Sequence, residues 1–178
     1  QDLADFWNEL IARRGSPPKV WCQQRAVTVG EKGRPITIAA LAWRICGSAI
    51  IKNNRLWVLD WVHEDCHGCV PGKSTDNFHA LQVSAILCAI SEKLAYVQAH
   101  IDNSKCHDRV NPYQGLECLT QVGLPDELCH LIGDFYKARE VFVSVESAYH
   151  PTTLQPTNGI LQGCPWSMVL LLIIMSCW

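Results

Sequence analysis

The chain has 178 residues, of which 48% are apolar, so it can bury one substantial core or two small ones and is not a disordered segment. A formal charge of -2 argues against a domain that is basic throughout, as one gripping phosphates usually is. The charge is unevenly spread, however: residues 1–55 carry nine bases against four acids, a balance of +5 that leaves -7 for the remainder. A basic first segment suits phosphates, and an acidic second segment suits cations.

In chain order, Leu3, Phe6, Trp7, Leu10 and Ile11 recur at helical spacing up to Gly15, and Pro17 and Pro18 close the exit of this first helix. Residues 19–29 are rich in β-formers and run into the turn-like GEKG, which predicts a strand with basic residues at its loop tip. Pro35 predicts the start of a long helical stretch, broken near Gly47 or at Asn53-Asn54. Residues 63–74 read as loop, and Thr75 is a candidate cap for a helix over 76–94. The segment 96–102 reads as a strand ending on Asp102. Residues 111–123 and 124–138 read as two helices punctuated by Gly123 and Pro125. Val141, Val143 and Val145 alternate as in a strand, and after a polar stretch Pro165 opens a helix that runs on to the last residues. Helices before and after isolated strands predict a mixed α/β or α+β chain in two lobes with a seam near residue 100.

Ten cysteines would suit a disulfide framework, but their spacing is irregular and no signal peptide precedes them, so they read as reduced thiols. Cys66 and Cys69 have zinc-ligand spacing, and with His63 and His67 they make a candidate site for a small zinc-binding interaction domain. No second Cys-x-x-Cys pair completes it. The apolar run Val169 to Met175 is far shorter than the ~20 residues that cross a bilayer and predicts a buried helix. An end within that apolar helix suggests a chain cut inside a domain, since boundaries usually fall in polar linkers.

Three constellations carry possible chemistry. In IDNSKCHDRV, residues 101–110, Asp102 stands at a predicted strand end, where a carboxylate can serve magnesium or simply close a turn. In GILQGCPWS, residues 159–167, two glycines flank Gln162, so backbone can approach a planar ligand that the amide hydrogen-bonds; the same pattern also makes an ordinary turn before a helix. In GRPI, residues 33–36, Arg34 stands near Lys32, as a phosphate fork or a solvated surface pair. Cys106, His107 and Asp108 are adjacent, point apart and make no hydrolase relay.

The order RPIT, CVPGKST, IDNSKCHDRVN, GLP, GILQGCPWS resembles the blocks of reverse transcriptases of non-LTR retrotransposons, over about residues 25–178. The resemblance implies an α+β right-hand polymerase, with fingers over 1–100 and part of the palm over 101–178. It implies an intracellular RNA-directed DNA polymerase that takes an RNA template, a DNA primer and a deoxynucleoside triphosphate, with no membrane and no obligate protein partner. Two magnesium ions would stabilise the attacking hydroxyl and the leaving pyrophosphate. By this resemblance Asp102 is a ligand to both ions, helped by the carbonyl of Asn103. Arg34, assisted by Lys32, meets the triphosphate, while Gln162 and Gly163 position the nucleotide and template base. His107 lies below the sugar, and Lys73, Ser74 and Thr75 run near the template. The sequence departs from the family pattern at Cys106, His107, Trp166 and Met168, which suggests a drifting copy. The family's Tyr-x-Asp-Asp block, with the remaining metal carboxylates, would lie beyond Trp178, as would the thumb. The expectation is therefore a polymerase fragment with no activity of its own, or a noncatalytic remnant with at most RNA binding.

Overall fold

The computed structural model describes residues 2–29, 34–145 and 148–177. The fold mixes helices with a four-stranded sheet, as an α+β chain should. Helix α1 (Asp2–Ala12) turns inward on Trp7, and the short α2 (Lys19–Cys22) leads into β1 (Gln23–Val29). The predicted strand thus begins four residues late. The GEKG turn and Lys32 lie outside the described residues.

Strand β2 (Arg34–Ile38) corrects the helix expected from Pro35. It pairs antiparallel with β1, Ala26 opposite Thr37 and Val27 opposite Ile36. The β-branched run Ile36-Thr37-Ile38 fits a pleated surface better than a helix, a local preference that the apolar residues downstream obscure. Helix α3 (Leu41–Asn53) then passes almost directly into α4 (Arg55–Trp61) at Asn54, one of the two breaks foreseen.

After a loop, α5 (Thr75–Ser91) is capped by Ser74 rather than Thr75: the Ser74 hydroxyl accepts from the Asn77 amide, and the Asn77 side chain accepts from the Ser74 amide. Residues 94–103 hold no regular structure, which corrects the strand expected at 96–102. A strand needs a neighbour to satisfy its ladder, and among the described residues no strand pairs with this segment; Val97 and Ile101 stand 91% and 74% exposed.

The single turn α6 (Cys106–Arg109) precedes α7 (Pro112–Gln121), where Asn111 accepts from the Tyr113 amide and Pro112 occupies the first turn. Helix α8 (Asp126–Ala138) places Asp126 and Glu127 in its first turn and Lys137 in its last, complementing the helix dipole. Strands β3 (Glu140–Val145) and β4 (Ala148–Tyr149) and helix α9 (Pro165–Ser176) complete the order. Among the described residues no helix is long and apolar enough to cross a membrane.

The sheet order is β2-β1-β3-β4, with β1 and β3 parallel and the other pairs antiparallel. Elements from both sides of residue 100 therefore share one sheet. They share one core too: Trp43 of α3 stacks on Phe135 of α8 at 3.9 Å between centroids, and Trp7 stacks on Trp21 at 4.9 Å. Helix α7 reaches α9 closely because Gly115 leaves room for Leu170.

Candidate functional site

Two close backbone contacts assemble the motif blocks. Gly163 lies on β2, so near that an added Cβ would stand 2.7 Å from the carbonyl oxygen of Thr37. Gly159, at φ +84°, lies on Asp108, where an added Cβ would stand 3.0 Å from the carbonyl oxygen. The Gly159 amide donates to the Val110 carbonyl (3.0 Å) and the Ile160 amide to the His107 carbonyl (2.7 Å). The glycines are required here, because any side chain would separate three segments that the backbone holds in contact. Residues 37–38, 107–110 and 159–163 thus meet at one place.

A residue that sequence reading passes over holds the loop behind them. Arg139, 3% exposed, donates from Nε to the carbonyl of Pro156 (3.1 Å), from Nη1 to that of Gly159 (2.8 Å) and from Nη2 to that of Asn158 (2.5 Å). Burial draws its pKa below the usual arginine value, and Tyr136 and Tyr113 oppose that shift. Three carbonyls and the Tyr136 ring, 5.3 Å from the guanidinium carbon, stand in for the lost water. In the sequence Arg139 is only the polar residue before an alternating run, and nothing local marks it as buried.

The block is anchored on its far side as well. The Trp43 indole donates to Cys164 Sγ (3.2 Å), and the Tyr136 hydroxyl and Ser167 Oγ share a buried hydrogen bond of 2.8 Å. Burial pushes the Cys164 thiol up and the Tyr136 hydroxyl well above its ordinary range, so both stay protonated. Between the sheet face and the 154–161 segment runs a cleft of about 390 Å³, lined among others by Thr37, Asp108, Arg139 and Gly159.

The sequence-derived candidates sit as follows. Gln162 is exposed beside Gly163, and His107 is half-buried on α6. Arg34 opens β2; its side chain, like all of Lys32, lies outside the described residues. Lys73 donates to the Glu64 carbonyl, Ser74 is occupied with its cap, and Thr75 opens α5. These three residues form a separate group where the 63–74 loop enters α5. Asp102 and Asn103 are exposed in irregular backbone, and Asn103 alone of the two borders a second cleft, of about 310 Å³, shared with Arg109, Gln114 and Ile174.

No three His, Cys, Asp or Glu side chains among the described residues come together as a metal ion would require. Asp102 offers one exposed carboxylate where a pair of magnesium ions needs several converging oxygens, so the described residues do not fit that pair. The zinc candidates do not converge either: His63 faces Asp65 at 3.7 Å, Cys66 Sγ lies 3.8 Å from Ser176 Oγ, and His67 packs beside Phe78. No protein-family model matches the chain, and no curated protein matches it significantly.

Proposed function

We propose that these residues are the fingers and the front of the palm of an RNA-directed DNA polymerase, and that they do not polymerise by themselves. The observation that supports this most is the meeting of residues 37–38, just after Arg34, with residues 107–110 and 159–163. Blocks far apart in the chain, ordered as in reverse transcriptases, contribute to one surface through glycine contacts. In this reading Arg34 meets a triphosphate, Gln162 hydrogen-bonds a base edge, and His107 limits the space below the sugar. The 178 residues contain no Tyr-x-Asp-Asp, so Asp102 is the sole carboxylate of the three that the resemblance requires. A lone carboxylate cannot gather two metal ions, and the charge of a triphosphate goes uncompensated.

The exposed, irregular setting of Asp102 favours a second reading, a noncatalytic remnant that binds RNA at most. Primer extension on an RNA template with magnesium or manganese is expected to give no product; template-directed addition abolished by Asp102→Ala would refute the claim of inactivity. Fluorescence anisotropy on a primed RNA template tests the surface itself. Gln162→Ala and Lys73→Ala are expected to weaken binding about tenfold, whereas parental affinity in both variants would remove the polymerase reading. No binding by the parent chain would leave neither polymerase surface nor RNA-binding remnant.

A further inference from the structure

Gly115 lets α7 and α9 come close together: an added Cβ there would stand 2.8 Å from Leu170 Cδ2 and 3.5 Å from the Leu170 carbonyl oxygen. Gln114 of α7 and Leu171 and Ile174 of α9 border one cleft beside this contact. Residues three, four or seven apart share a helix face. The side of α7 that meets α9 therefore carries on from Gly115 to Cys118, and the side of α9 that meets α7 carries on from Leu170 to Ile174 and Cys177. Cys118 packs against the core that holds Leu119 and Ile173. The Cys177 amide donates to the Ile173 carbonyl (3.1 Å), which keeps Cys177 on the last turn of α9. At the end of this seam Cys177 is a side-chain hydrogen-bond partner of Cys118.

Both thiols are free, Cys118 half-buried and Cys177 exposed. Burial, then the neighbouring Cys177, holds the Cys118 thiol above its ordinary pKa, and Glu117 adds to the shift. Cys22 and Cys164, by contrast, are 1% and 3% exposed, which keeps dissolved oxidants from them. A disulfide needs two sulfurs that can close to about 2 Å from Cα atoms within about 7 Å of each other. Cys177 stands on a terminal turn, where small backbone adjustments close the remaining gap.

We propose that Cys118 and Cys177 form a disulfide when the chain meets a small-molecule disulfide such as oxidised glutathione, and that this bond clamps the end of α9 to α7. The exposed Cys177 gives its proton to solvent and attacks one glutathione sulfur. The glutathione S–S bond breaks, a mixed protein–glutathione disulfide forms, and the expelled thiolate takes up a proton. Cys118 then gives up its own proton, attacks Cys177 Sγ and expels the second glutathione, which is protonated in turn. Two protein thiols are thereby oxidised, and one oxidised glutathione is reduced to two thiols. Helix α9 begins just after the 159–163 block and Cys177 caps its other end, so the clamp stands whether or not the polymerase reading does.

The 178-residue chain, reduced and then incubated with oxidised glutathione, tests this by mass spectrometry after alkylation of the remaining thiols, digestion and peptide fragmentation. The Cys118–Cys177 link is expected in most folded molecules and at least about tenfold less often in chain unfolded in urea, where nothing holds the two residues together. Oxidised parent should melt about 5 °C above reduced parent. Cys177→Ser should lose both the link and the shift. Cys118→Ser should lose both as well while keeping a glutathione adduct on Cys177, because no second thiol resolves it. Cys177 is exposed, and a reduced Cys177→Ser chain that melts with the reduced parent shows that the fold is kept. The proposal is overturned if the link is absent from folded chain or equally frequent in unfolded chain. A Cys177–Cys177 bond between two chains in its place, or a melting shift that persists in Cys177→Ser, would overturn it too.

Discussion

Glycines at contacts of similar closeness differ in what they protect. At Gly163 an added Cβ meets the Thr37 backbone at 2.7 Å, whereas at Gly115 it meets the Cδ2 end of Leu170 at 2.8 Å. A side-chain end can rotate away; a strand carbonyl held in a ladder cannot. Gly163→Ala is therefore expected to cost about 1–3 kcal/mol in urea denaturation, and Gly115→Ala less. Equal losses, or a larger one at Gly115, would show that β2 yields and that the motif blocks are not rigidly joined. Gly163 was legible in the sequence as a residue allowing close approach, but what approaches it was not. Arg139 was illegible, because its three carbonyl partners lie 17 to 20 residues away on a loop whose path the sequence does not specify.

Among the elements, α5 depends most on its own chain. Only Ala89 of its seventeen residues is buried, so little tertiary packing supports it and its first turn rests on the Ser74–Asn77 box. Ser74→Ala is expected to destabilise the helix by about 0.5–2 kcal/mol. Hydrogen exchange reads this out as faster exchange of α5 amides, while α7, α8 and α9 are unchanged. Uniform acceleration across all four helices would instead mean that α5 unfolds only with the whole molecule. Elements with a strong period of their own, such as α1, α7 and α8, were readable. Strand β2 and the 94–103 segment were not, because strand formation depends on a neighbour as much as on local sequence.

For the molecule as a whole, the buried thiols set a limit at alkaline pH. Burial, then the nearby Asp134 and Glu140 carboxylates, push Cys22 from 9.0 up to about 11. Above pH 9 the unfolded chain loses this proton while the folded chain keeps it, so the unfolded state binds fewer protons and stability falls as pH rises. The contribution is complete below pH 9 and spent by about pH 11; the difference corresponds to on the order of 3 kcal/mol. Cys164 and Tyr136, both raised by burial, act in the same direction. Urea unfolding at a series of pH values should show a plateau that declines across this range, with a shallower decline in Cys22→Ala. A flat profile from pH 9 to 11 would mean that water reaches the Cys22 thiol.

The sequence by itself determined the mixture of helices and strands, most helix positions, the basic first third and the order of blocks resembling a polymerase, since these follow from periodicity, capping chemistry and composition. Only the tertiary structure decided that residues before and after position 100 build one sheet and one core. It also decided that Arg139 is buried among carbonyls, that Asp102 stands exposed in no carboxylate cluster among the described residues, and that Thr37, Asp108, Gly159 and Gly163 meet. Each of these is a contact between segments distant in the chain, and no local preference encodes which distant segment satisfies a given backbone group or fills a given gap.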